Sequence, residues 1–205
     1  SVHQINNWRE LRDRIDSHDR KCFAFFHPAM ATEPLIFVEI AFLDEMPNKI
    51  NTILDTQRNM LSESKANTAV FYSISNCQRG LDGISFGNFL LKEVVTFIEK
   101  EIPNIKNFIT LSPVPKFMTW LKTHDPDLHT AIMASPQIEN ISKYEKQLKI
   151  HIRDYLLISK REDQKPNDPV SRFHLGNGAS LHRINFMADT SKNSLLKGAS
   201  FMVNY

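Results

Sequence analysis

The stretch Thr68 to Gly87, TAVFYSISNCQRGLDGISFG, constrains the fold more than any other part of the chain. Its opening, Thr68 to Ser75, is β-branched and aromatic with little interruption, the composition of a strand buried on both faces. Asn76 to Gly87 then holds three of the chain's six glycines. From Phe86 to Glu101, the residues Phe89, Leu90, Val94 and Phe97 fall on one face of a helix that ends before Pro103, and Phe108 to Leu111 is a further strand. Strand, glycine loop, helix and strand in that order predict a βαβ unit.

The flanking segments extend this into an α/β (α+β) chain. Trp8, Leu11 and Ile15 recur at intervals of three and four, which predicts a short amphipathic helix from Trp8 to Ile15 docked on a sheet. Lys21 to His27 and Pro34 to Leu43 read as a strand pair, with Pro28 to Pro34 as the turn between them. Pro47 to Asp55 reads as a helix and Ser62 to Asn67 as an exposed polar loop. Helical spacing from Lys116 to Lys160, clearest at Tyr144, Leu148, His151, Ile152, Tyr155 and Leu156, predicts inserted helices. Arg161 to Pro169 has the composition of a solvated linker, Gly176-Asn177-Gly178 that of a tight turn, and Ser200 to Tyr205 that of a last strand.

With 205 residues and 41% hydrophobic content, one domain with a sizeable core is expected. Lys and Arg number 25 against 23 Asp and Glu and are interspersed, so no general field favours nucleic acid or membrane. Cys22 and Cys77 stand far apart without metal-ligand spacing, which fits a reducing compartment, and no apolar run is long enough to cross a bilayer. These features predict a soluble, cytoplasmic protein.

Three stretches carry candidate chemistry. Backbone N–H groups exposed by glycines at a helix N-terminus suit a phosphate, so Gln78, Arg79, Gly80, Leu81, Asp82, Gly83, Ser85 and Gly87 are candidate binding residues. An ordinary tight βα turn is the alternative, since the spacing is neither GxxxxGK[ST] nor GxGxxG. Ser112, in LSPVP, leaves the strand after the loop's helix, at the carboxyl end where ligands bind in such sheets; a turn-opening serine is the alternative. His174 stands just before the glycine turn, either as a hydrogen-bonded core residue or as a catalyst. No HExxH, paired cysteines or clustered carboxylates support a metal centre.

Four blocks in order, HPAMATEPLIFVEIAF (27 to 42), TAVFYSISNCQRGLDGISFGNFLLKEV (68 to 94), FITLSPVPKFMTWL (108 to 121) and DPVSRFHLGNGASLHRINFMADTS (168 to 191), resemble the malonyl-CoA decarboxylase family. The resemblance implies a mixed sheet flanked by helices, like that of the GNAT N-acetyltransferases, in which two parallel strands splay around a pantetheine arm. It implies a single catalytic domain over residues 1–205, with inserted helices at about 116–160 and without the family's N-terminal helical oligomerisation domain. Ser112 and His174 become the catalytic pair, Gln78 to Gly83 with the amides up to Gly87 the pyrophosphate cradle, and Asn177, Tyr205 and Lys92 supporting residues. Some family members carry an acidic residue where Ser85 stands here.

The implied reaction turns malonyl-CoA into acetyl-CoA and CO₂ through an enolate, with His174 expected to titrate near neutrality. No cofactor is required, coenzyme A being part of the substrate, and a phosphopantetheinyl carrier protein is the alternative carrier. An acyl-CoA-dependent acyltransferase on the same fold, or a silent acyl-CoA-binding module, are the rival functions.

Overall fold

A computed structural model describes residue 3, residues 5–78 and residues 87–205. The chain divides into two compact units, one of Ser1–Pro47 with Thr52–Thr110 and one of Asn48–Asn51 with Leu111–Tyr205.

The first unit runs α1 (Trp8–Asp16), β1 (Arg20–His27), β2 (Met30–Leu43), the short α2 (Asn51–Leu54, of which Asn51 is counted with the second unit), a 3-10 turn (Glu63–Lys65), β3 (Thr68–Asn76), α3 (Gly87–Glu101) and β4 (Asn107–Thr110). Its sheet has the order β1-β2-β3-β4. β1, β2 and β3 are antiparallel neighbours, while β3 and β4 pair in parallel from Thr68↔Asn107 to Phe71↔Thr110. This is the predicted βαβ unit. Leu90, Val94 and Ile98 of α3 join Ile36, Val38, Ile40, Phe42 and Phe71 in one apolar core. Ile98 replaces the expected Phe97, which is half exposed and meets the edge of Phe23.

Two irregularities shape the sheet. Pro34 pairs with Phe26 where the β1–β2 register shifts twice, a place that tolerates a residue without an N–H. Glu39 pairs with Ser73 and Ile40 with Phe71, which leaves Tyr72 as the extra residue of a β-bulge in β3. The parallel ladder ends at Thr110 while β3 runs on to Asn76.

Several expectations are revised. The turn between β1 and β2 is only Pro28-Ala29, because β2 begins at Met30. The apolar stripe of α1 is not its buried face: Trp8 is 78% and Ile15 51% exposed, whereas Arg14 is 6% exposed. Its guanidinium donates to the His3 carbonyl at 3.0 Å and faces the buried Glu39 carboxylate at 3.8 Å, a pairing that no window of α1 reveals. The helix expected from Pro47 to Asp55 shrinks to α2, and the polar loop of 62–67 forms the 3-10 turn with Ala66 buried.

The second unit holds β5 (Ser112–Pro113), α4 (Phe117–His124), α5 (Pro126–Met133), α6 (Ile138–Lys143), α7 (Glu145–Arg153) with a π-helical extension (Asp154–Ile158), α8 (Pro169–Gly176), β6 (Arg183–Asn185), α9 (Lys192–Gly198) and β7 (Met202–Asn204). The strands form an antiparallel sheet, β5-β7-β6. Phe117 centres the core, with Trp120, Tyr155 and Phe201 around its ring. His151 of α7 reaches the Asp125 carboxylate at 3.0 Å, and Asp125 also caps α5 through the Leu128 amide. The helices expected over 116–160 are therefore present. The residues 161–169 are less open than their composition suggests, since Lys160 bridges Pro166 and Asp168 is buried. Among the described residues no helix is long and apolar enough to cross a membrane.

Candidate active site

β5 is an edge strand, so Pro113 withholds an N–H where the ladder can spare it. Ser112 pairs with Val203 of β7 and is 7% exposed.

α8 supplies the imidazole, and its termini are both specified by sequence. At the start, the Asp168 carboxylate accepts from the amides of Val170 and Ser171, with Pro169 in the first helical position. At the end, Gly178 adopts φ +86°, its N–H donates to Leu175, and the Ala179 N–H donates to the His174 carbonyl. That is a Schellman stop, in which glycine supplies the left-handed residue. The expected turn at Gly176-Asn177-Gly178 is thus the close of a helix, and His174 stands in its last turn.

Ser112 Oγ lies 3.1 Å from Nε2 of His174, and both side chains are buried. The imidazole is 3% exposed, and burial pushes its pKa down to about 4, because a charged ring there loses its hydration. The expected titration near neutrality is therefore corrected. In this structure the ring is neutral at pH 7.

Tyr205 stacks on His174, with ring centroids 4.6 Å apart and planes inclined by 24°. The Tyr205 hydroxyl meets the Ser171 hydroxyl at 2.5 Å. Tyr155 donates to the second oxygen of Asp168 at 3.3 Å. Burial raises the pKa of Asp168, opposed by the amides of Ser171 and Val170 and by the hydroxyls of Tyr155 and Ser171. Burial likewise raises the phenol of Tyr205.

Of the sequence-derived residues, Ser112, His174 and Tyr205 come together. Asn177 contacts His174 through its backbone N–H, and its side-chain Nδ2 is buried without a hydrogen-bond partner among the described residues. Gln78 is half-buried and its amide donates to Glu33 and to the Pro34 carbonyl. Gly87 opens α3, and Lys92 is exposed on it. Arg79, Gly80, Leu81, Asp82, Gly83 and Ser85 lie outside the described residues. Asp168 and Ser171 escaped sequence reasoning, although Asp168-Pro169 is a helix-start signal. Among the described residues no group of three or more His, Cys, Asp or Glu side chains is placed to hold a metal ion.

The family model described as malonyl-CoA decarboxylase C-terminal domain matches residues 1–205. A mitochondrial malonyl-CoA decarboxylase from Anser anser anser is 32% identical over 239 residues, covering 100% of this chain and 47% of the goose protein. The crystal structure of malonyl-CoA decarboxylase from Rhodopseudomonas palustris superposes with a TM-score of 0.90 at 44% identity, over 100% of this chain and 54% of that one. The GphF GNAT-like decarboxylase, in complex with isobutyryl-CoA, shares the fold at 15% identity, with a TM-score of 0.60 over 97% of this chain and 83% of its own. The chain thus spans about half the length of the first two relatives, and it belongs to the malonyl-CoA decarboxylase family, of which it carries the C-terminal domain.

Proposed function

We propose that this chain decarboxylates malonyl-CoA to acetyl-CoA and CO₂. The observation that carries the reading is the 3.1 Å contact between two buried polar side chains, Ser112 and His174, in a member of this family.

Loss of CO₂ from a malonyl thioester leaves an enolate with its charge largely on the thioester oxygen. The thioester is itself the electron sink, so the reaction needs no cofactor. It needs a hydrogen-bond donor where the charge develops and a proton for the carbon, with one proton taken up from solvent per turnover. A preorganised donor of this kind is worth about 3 to 4 kcal/mol, and a positioned proton donor about 10²- to 10⁴-fold in rate. In our reading Ser112 donates to the developing oxyanion while His174 orients that hydroxyl and relays the proton. The His174 ring is neutral in the free protein. Once a malonyl carboxylate sits beside it, the negative charge favours the imidazolium and readies a proton for delivery. No covalent acyl-serine is formed.

We assign the pyrophosphate of coenzyme A to residues 78–87, because their glycines immediately precede α3 in the sequence and glycine-rich segments before a helix suit an anion. Incubation of the purified chain with malonyl-CoA, followed by chromatography of the thioesters, tests the reading. Acetyl-CoA formed without an acceptor supports it. Turnover that appears only with an added amine or thiol points to acyl transfer instead, and an unchanged substrate pool removes the proposed activity from this chain.

A further inference from the structure

Asp168, Ser171 and His174 follow one another at intervals of three, so they rise along one side of α8. A single side chain from the end of the chain spans the upper two: Tyr205 lays its ring on the imidazole and sets its hydroxyl on Ser171. Ser171 is itself held, since it is fully buried and its amide is bonded to the Asp168 carboxylate at 2.8 Å. Asp168 is tied in turn to Val170 and Tyr155.

A stacked ring alone can slide in its plane. A ring whose para-hydroxyl is pinned one helical turn away cannot. We propose that Tyr205 is a positioning residue for His174, pinned by Ser171 so that its ring fixes the plane in which Nε2 faces Ser112. The inference rests on the proposed decarboxylation for its consequence in rate, but its geometric part stands independently of the substrate. Phe173 meets the imidazole edge-on, with ring centroids 5.0 Å apart, so the plane is bounded on a second side.

The test compares Tyr205→Phe, Tyr205→Leu, Ser171→Ala and the Ser171→Ala/Tyr205→Phe double variant in the whole chain, with melting temperature as the check on folding. Tyr205→Phe keeps the stack and loses the pin; kcat should fall about 10-fold with KM unchanged. Tyr205→Leu loses both, and about 100-fold is expected, the scale of a misplaced catalytic group. Ser171→Ala should match Tyr205→Phe, and the double variant should be no worse than either single, because both remove one contact. In ¹⁵N spectra of the histidine ring, His174 of Tyr205→Leu should titrate closer to an ordinary histidine than in the parent, as water replaces the covering ring. The proposal is overturned if a folded Tyr205→Leu keeps the parent's titration and kcat, or if the two single losses multiply in the double variant. Should the parent chain fail to turn over malonyl-CoA, the functional reading falls, while the ¹⁵N titrations still decide the positioning role.

Discussion

Ser112 Oγ and His174 Nε2 stand 3.1 Å apart although 62 positions separate them in the chain. The serine is aimed by its pairing with β7, and the imidazole by the length of α8, which a carboxylate starts and a glycine stops. The two caps hold the helix that carries His174, so they bear on the geometry of the pair as well as on stability.

At Gly178 a methyl group would act directly on the stop of α8. Among the described residues, none beyond its chain neighbours comes within 4 Å of where its Cβ would sit, so the cost of Gly178→Ala is conformational, arising from φ +86°. We expect about 1 to 2 kcal/mol of destabilisation by urea unfolding. Gly176→Ala is the control, because that residue is helical and equally uncrowded. There alanine should stabilise by up to about 1 kcal/mol.

At the other terminus, Asp168→Ala should cost about 2 kcal/mol, since it leaves the Val170 and Ser171 amides and the Tyr155 hydroxyl without their acceptor. Asp168→Asn retains a capping oxygen and should lie within about 1 kcal/mol of the parent at pH 7. Burial raises the Asp168 pKa, so its ionisation costs stability as pH rises through the folded pKa. The asparagine variant removes that contribution, and denaturant midpoints measured from pH 4 to 7 should separate the two effects.

What could be read in advance followed the range of the interactions. The β3–α3–β4 unit was legible because a buried strand, a glycine loop and a helix stopped by proline are each written within a few neighbouring residues. Ser112 and His174 were each legible locally as candidates, but their pairing came only through the family's blocks, for nothing near either residue announces a partner 62 positions away. The row of Asp168, Ser171 and His174 was hidden because 161–169 looked like a linker and the glycines after His174 like a loop, although a helix joins them. Local periodicity chose Trp8 and Ile15 as the buried side of α1, but the partner that decides the matter, Glu39, lies on β2 and draws Arg14 inward instead.

Stability should also report the buried imidazole. His174 is neutral in the folded protein down to about pH 4, whereas an unfolded histidine takes up its proton near 6.5. Between these values the unfolded chain binds more protons, so stability rises with pH across the window and is lost as pH falls through it. The span from 6.5 to about 4 corresponds to about 3 kcal/mol. On acidification from pH 7 to pH 4, the parent should lose about that much more than His174→Gln, which has no proton to gain; equal losses would mean that the ring is more hydrated than its burial implies.

In the first unit, Arg58 joins two carboxylates. It grips Asp19 with both Nε and a terminal nitrogen, at 2.8 and 2.7 Å, and reaches Asp13 at 2.5 Å. Asp19 is 1% exposed and also meets Arg20 at 3.0 Å. Arg58→Met removes the fork and leaves the Asp19 charge short of compensation, which should cost about 3 to 5 kcal/mol. Arg58→Lys should restore only part of this, because an ammonium cannot bind both carboxylate oxygens in one plane. Burial works to raise the Asp13 pKa, but the bond from Arg58 holds it below the usual carboxylate range, giving stability that is present above the unfolded pKa and lost as pH falls. In Arg58→Met that acid-sensitive share should vanish, so the variant's deficit, measured by urea unfolding, should narrow as pH drops below 4.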